Sequence, residues 1–146
     1  MAIKKVKIIN GPNLNLLGSR DKNIYGSTTL ADIEKESKKH ASSLKLDVTF
    51  FQSNSESEII DEIQKSIGKY AAIIINAAAY THTSIAIRDA LDCFKCPIIE
   101  VHLSNIHKRE SYRHKSFVSE VATGSIIGLG SEGYLLALTA VSKLLK

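Results

Sequence analysis

No apolar run in this chain approaches the roughly 18 residues that a membrane span needs. The opening Met1-Ala-Ile-Lys-Lys-Val-Lys-Ile-Ile carries basic residues but no sustained apolar stretch with a cleavage site after it. A membrane partner is therefore not expected, and the chain reads as soluble and cytoplasmic. Cysteine is scarce as well: two residues cannot build a disulfide scaffold, and 146 residues do not require one. A single domain of that size buries about two thirds of the surface that its unfolded chain exposes. Cys93 and Cys96 form a C-x-x-C, yet no second pair accompanies them. They follow an expected helix from Ser84 to Asp92, at the end where the helix dipole disfavours a thiolate. The plain reading is two reduced thiols; a thiol oxidoreductase or half a zinc site ranks below it, and no metal is expected. An excess of one charge is also missing. The formal charge is +4 with a pI near 9.0, the lysines are spread along the chain, and aromatics do not interleave with them. Nucleic acid is thus not an expected partner, whereas an anionic small substrate or simple solubility fits.

What the chain does have is β-α alternation. Apolar runs rich in β-branched residues occur at Val6 to Ile9, Val48 to Phe51, Ala72 to Ile75, Ile98 to Val101 and Ser125 to Leu129, separated by helix-length segments. Leu30, Ile33, Ser37, Ala41 and Leu44 recur at helical spacing, and Ser55 with Glu58 reads as a capping box ahead of Ile59, Ile63 and Ile67. Crossovers of this length make the flanking strands parallel. The expectation is a single catalytic domain over residues 1–146, with a flavodoxin-like, doubly wound five-stranded parallel sheet in three α/β/α layers. After Gly130-Ser-Glu-Gly133 comes a helix, Tyr134 to Leu145, apolar around much of its girth, which must be covered by the sheet, by another subunit, or by both.

Polar residues fall where such a sheet places ligands, beyond the carboxyl ends of the strands. Asn10-Gly-Pro-Asn13 follows the first strand, Ser53-Asn54 the second, Asn76 the third and His102 the fourth. Turn chemistry explains any one of them; their joint placement points to one crevice. A glycine-bounded loop, Gly18 to Gly26, adds Arg20 and Tyr25. A guanidinium held beside a phenol favours the phenolate, which is basic enough to remove a proton from carbon next to a ketone. The bland account of that loop is a tyrosine filling an apolar gap beside a solvated arginine. In Glu100-Val-His102 the carboxylate shares a strand face with the histidine, where it orients the ring and favours its protonated form, the property that a leaving hydroxyl requires. Arg109 and Arg113 stand at i, i+4, where like charges on a helix repel by a few tenths of a kcal/mol unless an oxyanion or polyol lies between them.

These residues resemble those of a known family, type II 3-dehydroquinate dehydratase, nearly end to end. The resemblance lies in Ile9-Asn-Gly-Pro-Asn-Leu-Asn-Leu-Leu-Gly18, Arg20 with Ile24-Tyr25-Gly26, Phe51-Gln-Ser-Asn54, and Asn76 with Thr81-His-Thr-Ser84. It continues through Arg88-Asp89-Ala90, Glu100-Val-His-Leu-Ser-Asn105, Arg109, Arg113 and Ala122-Thr-Gly124. It implies anti elimination of water from 3-dehydroquinate to 3-dehydroshikimate through an enolate, without cofactor, metal or Schiff base, in the shikimate pathway or in quinate catabolism. By the same resemblance Tyr25, assisted by Arg20, is the base and His102, supported by Glu100, the acid. Asn13, with a bound water and backbone near Ala78, faces the enolate. Asn76 and Leu103-Ser104 take the carboxylate, while His82 and Arg113 take the ring hydroxyls. Arg109 lies beside Tyr25, and the assembly is trimers combined into a dodecamer in which Asp89 approaches a neighbour's Arg20. The loop from Gly18 to Gly26 is then expected to be a lid. Ala78 and Ala79 depart from frequent glycines of the pattern, as does Ser57. The alternative is a flavodoxin-like module that binds FMN or phosphate, for which Gly26-Ser-Thr-Thr29 is the only echo of a phosphate loop.

Overall fold

In the computed structural model, which describes residues 2–146, the apolar runs form five strands: β1 (Lys4–Asn10), β2 (Leu46–Gln52), β3 (Ala72–Asn76), β4 (Ile98–His102) and β5 (Gly124–Ile127). All pairs are parallel, in the order β2-β1-β3-β4-β5. This is the expected flavodoxin-like order. β3 and β4 are buried along their whole length, because both faces of the sheet are covered, and that is why they read as continuous apolar runs. The helices are α1 (Lys22–Tyr25), α2 (Leu30–Ser43), α3 (Glu56–Ser66), α4 (Ile85–Asp92) and α5 (Glu132–Leu144). One core layer joins Val6, Ile8 and Ile74 to Ile33 of α2 and to Leu138 and Val141 of α5. The opposite layer joins Ile9, Ile73 and Ile75 to Ile59 and Ile63 of α3 and to Ile87 and Leu91 of α4. Among the described residues no helix is long and apolar enough to cross a membrane.

Local chemistry departs from the sequence reading in four places. Ser55 does cap α3, its hydroxyl accepting from Glu58 N at 3.2 Å. The reciprocal half of that box is missing, because the Glu58 carboxylate is taken by Ser53 Oγ. The full capping box lies at α2 instead: Thr29 Oγ1 accepts from Asp32 N, and Asp32 Oδ2 accepts from Thr29 N, each at 3.1 Å. The Gly26-Ser-Thr-Thr29 stretch is thereby spent on a helix cap and not on phosphate. The β4-to-β5 connection contains only short 3-10 turns and no α-helix, and Arg109 and Arg113 fall on separate turns. Last, β5 stops at Ile127, since Gly128 turns away at a φ of +87°.

The strand order reverses between β1 and β3, where a doubly wound sheet opens a crevice. Gly11 closes the two strand ends on each other: its N–H donates to Asn76 O at 2.8 Å. A Cβ on Gly11 would stand 2.4 Å from Ala77 O, so no other residue fits there without moving one loop.

Candidate active site

A crevice with a volume of about 130 Å³ opens at this switch point. It brings together Asn13, Arg20, Tyr25, Asn76, His82, His102, Leu103, Ser104, Arg109 and Arg113, with Ala78 and Ala79 in the wall. Among these residues are three arginines and no carboxylate. Such a lining suits an anion. Glu100 and Asp89 do not line the crevice. Glu100 is behind His102, fully buried. Asp89 sits exposed on α4, where Arg88 Nη1 donates to it at 3.1 Å. Ser53 and Asn54 do not line the crevice either; Asn54 Oδ1 accepts from Asn13 N at 3.0 Å and so holds the first loop in place. Asn13 needs such support, because its φ of +69° is in the left-handed region.

The phenol of Tyr25 meets two guanidinium groups, with Arg109 beside it as the resemblance implies and Arg20 on its ring face rather than on its oxygen. Arg109 Nη1 donates to Tyr25 Oη at 2.8 Å, while Arg20 lies over the ring face, 4.4 Å from its centroid. The hydroxyl partner is therefore Arg109, delivered from beyond β4, and Arg20 acts on the ring. The expected repulsion between Arg109 and Arg113 is relieved by an unforeseen residue, Glu110. Its Oε2 accepts from Arg113 Nε at 2.7 Å, and its Oε1 is 4.0 Å from Arg109 Nη2. That pairing raises the Arg113 pKa and lowers that of Glu110.

His102 Nε2 and Glu100 Oε2 are 2.5 Å apart. The carboxylate also collects hydroxyls from Thr81 at 3.2 Å, Ser116 at 2.5 Å, Ser125 at 2.7 Å, and Ser119. Burial alone would push this carboxyl up, but the hydrogen bonds and charge of His102, with the hydroxyls of Ser116 and Ser119, outweigh it and hold the carboxyl at about 2. An ionised carboxylate only accepts, so the His102 proton sits on Nε2 and the other ring nitrogen, Nδ1, is left for the crevice. His82 is held the same way: its Nδ1 must donate to Lys115 O, 2.9 Å away, which leaves Nε2 for a ligand. Burial lowers the His82 pKa, the Lys115 carbonyl opposes, and the neighbouring His102 and Arg113 lower it further. The serine cage was not visible in the sequence, because Ser116, Ser119 and Ser125 belong to no spaced motif; only the fold brings them to one carboxylate.

Asn76 Oδ1 accepts from Ala78 N at 3.1 Å, so that backbone donor is already engaged and is not free for an enolate. The conformation that makes this bond possible puts Ala78 at a φ of +52°, left-handed for a residue with a Cβ. Glycine adopts that conformation without a Cβ penalty. Ala78→Gly is expected to raise stability by up to about 1 kcal/mol, offset in part by the methyl packing that is lost, with activity kept. Thermal unfolding checks it; a lower midpoint would mean that the alanine methyl outweighs the strain. Cys93 ends α4 and Cys96 follows it, both free and exposed and away from the crevice.

A parallel α/β sheet whose switch-point crevice pairs a phenol and an imidazole under three arginines defines a flavodoxin-like protein with the makings of an acid–base site. The chain belongs to the class II dehydroquinase family, whose model it matches over residues 4–142. It is 55% identical over 141 residues to a 3-dehydroquinate dehydratase of Sulfurovum, covering 97% of this chain and 87% of that one. It is equally 55% identical over 139 residues to a catabolic 3-dehydroquinase of Emericella nidulans, covering 95% and 91%. Among solved structures, the type II dehydroquinase of Propionibacterium acnes superposes with a TM-score of 0.93 at 43% identity, over 96% of this chain and 97% of that one.

Proposed function

We propose that Tyr25 and His102 divide the two proton transfers of 3-dehydroquinate dehydration in this crevice. The chain is a type II 3-dehydroquinate dehydratase, a hydro-lyase, and both the biosynthetic and the catabolic names occur among its relatives. Tyr25, as the phenolate, takes the proton from the carbon next to the ketone. The C–H electron pair moves into an enolate, and Asn13 offers it an amide donor. The enolate collapses, the C–O bond breaks, and His102, entering doubly protonated with its Nε2–H on Glu100, gives its Nδ1 proton to the departing hydroxyl, so that water leaves. Solvent then takes the proton from Tyr25 and returns one to His102. A positioned acid or base contributes about 10²–10⁴ in rate, and an oriented donor at the developing charge about 10²–10³.

The observation that carries this reading is the Arg109 bond to Tyr25 Oη, which sets a cation against the oxygen that would carry the negative charge. Asn76 with the backbone of Leu103 and Ser104 takes the substrate carboxylate, and His82 Nε2 with Arg113 takes the ring hydroxyls. The loop from Gly18 to Gly26 closes the crevice over them, its end glycines at φ of +94° and +77° supplying the hinge conformations. Among the described residues no lysine lines the crevice. Adding dehydroquinate and following the ultraviolet absorption of the conjugated product tests the activity. Borohydride added with the substrate tests for an imine; lost activity would overturn the imine-free route.

The chain acts as one catalytic domain in the cytoplasm, assembled as trimers within a dodecamer, with Asp89 reaching a neighbour's Arg20. What supports this is α4, where Asp89 and Ile85 are one turn apart and both solvent-exposed on the single chain. The expected result is complementation. Tyr25→Phe and Asp89→Ala homomers are each impaired, and reassembling them together regenerates sites that join an intact Tyr25 to a neighbour's intact Asp89. Verified mixed oligomers with only the average parental activity would remove the cross-subunit role.

A further inference from the structure

Below the crevice, on the α5 side of the sheet, three polar side chains form a directed chain inside the core. Asn76 Nδ2 donates to Tyr134 Oη at 3.1 Å, and the Tyr134 hydroxyl donates onward to Asn10 Oδ1 at 2.5 Å. Asn10 and Tyr134 are fully buried. The direction of the chain is forced from its upper end. Ala78 N–H can only donate, so Asn76 must present Oδ1 to it and Nδ2 to Tyr134. Tyr134 Oη, accepting there, must give its own proton to Asn10. Burial pushes the Tyr134 phenol up, against the bond from Asn76, so the proton stays on it.

We infer that Tyr134, backed by Asn10, is a positioning residue for substrate binding: it fixes the Asn76 amide so that the remaining Nδ2 hydrogen serves the crevice. This rests on the reading that Asn76 receives the substrate carboxylate. If the amide turned over, Oδ1 would face Tyr134 and Nδ2 would face the N–H of Ala78, donor against donor. Its crevice edge would then no longer be set to donate to an anion. Tyr134 opposes that rotation because its proton is already committed to Asn10. The arrangement has a visible cost. Among the described residues Asn10 Nδ2 is buried with no protein hydrogen-bond partner, whereas an apolar pair of side chains would leave no donor to satisfy. What an apolar pair lacks is an acceptor that anchors Asn76 Nδ2 from the core side while Ala78 N–H sets its orientation.

Steady-state kinetics and thermal unfolding of four variants test this. Asn76→Ala examines the underlying reading: an unchanged KM and kcat there would end the carboxylate role of Asn76 whatever Tyr134 does. Tyr134→Phe is expected to raise KM about tenfold while kcat stays within about twofold, the signature of lost uniform binding. Adding Tyr134→Phe to Asn76→Ala is expected to change KM little further, since the tyrosine acts through the amide. The pair Asn10→Leu with Tyr134→Phe removes the orphan together with the relay; it is expected to be at least as stable as Tyr134→Phe alone, with KM still raised. A folded Tyr134→Phe enzyme with normal KM overturns the inference. So does full additivity with Asn76→Ala, or failure of both relay variants to fold, which would make the hydroxyl a matter of packing.

Discussion

Tyr25→Phe is expected to reduce kcat by about 10²–10⁴ while KM for dehydroquinate changes by no more than a few fold. The substitution removes one oxygen. It leaves the ring under the Arg20 guanidinium, which stands 4.4 Å from the ring centroid, so the lid keeps that contact. Arg109 loses the acceptor that it meets at 2.8 Å but keeps Ser104 Oγ at 3.3 Å and the nearby Glu110 carboxylate. The substrate binding proposed for Asn76, His82 and Arg113 should therefore be untouched, so that the loss falls on the proposed proton transfer from carbon. Arg109→Ala separates the two cations: losing the hydroxyl partner is expected to lower kcat more than losing the Arg20 stack does. A Tyr25→Phe enzyme with full turnover would be fatal to the phenolate mechanism.

Glu100→Gln is expected to cost both catalysis and stability, and the stability loss carries a pH signature. The amide cannot accept from five donors as a carboxylate does, and its own NH₂ opposes the hydroxyls of the cage; breaking a buried charged pair typically costs 3–5 kcal/mol. Activity is expected to fall by about 10² or more, because His102 loses the partner that fixes its tautomer. The folded carboxyl is held at about 2 against an ordinary 4.5. A depressed folded value means that ionisation contributes stability in full above about 4.5 and loses it as pH falls through about 2. That contribution is on the order of 3 kcal/mol at neutral pH. The glutamine variant has no such titration. The difference in unfolding free energy between native protein and variant should therefore shrink as pH is lowered from about 5 toward 2, while the carboxylates common to both cancel. Parallel stability curves across that window would show that the hydroxyl cage does not hold Glu100 ionised.

Much of this molecule was legible in the sequence because the signals were local. β-Branched runs of strand length separated by helical periodicity point to parallel strands, since helix-length connections permit the crossovers that parallel neighbours need, and the observed order is the one expected. Strand ends were legible for the same reason: a side chain directly after a parallel strand must face the carboxyl edge, which located Asn13, Asn76 and His102 before any contact was known. Glu100 and His102 share a strand face two residues apart, so their hydrogen bond was determined by the period of the strand.

Other features depended on residues far apart in sequence and were decided by tertiary structure alone. Arg109 and Tyr25 are separated by 84 positions; the resemblance set them side by side, but that Arg109 and not Arg20 donates to the phenol oxygen depends on how the 3-10 turns after β4 pack. Helical spacing misjudged Arg109 and Arg113, because two short turns with Glu110 between them replace one helix and turn repulsion into a bridged pair. Ser116, Ser119 and Ser125 gather on one carboxylate only once β5 lies beside β4 and the preceding turns pack on α4. Tyr134 meets Asn10 across 124 positions because α5 crosses beneath the switch point. Periodicity assigns a residue to a face of its own element, whereas the partner that meets that face is set by the packing of elements, and a lone hydroxyl or arginine carries no spacing that would announce it.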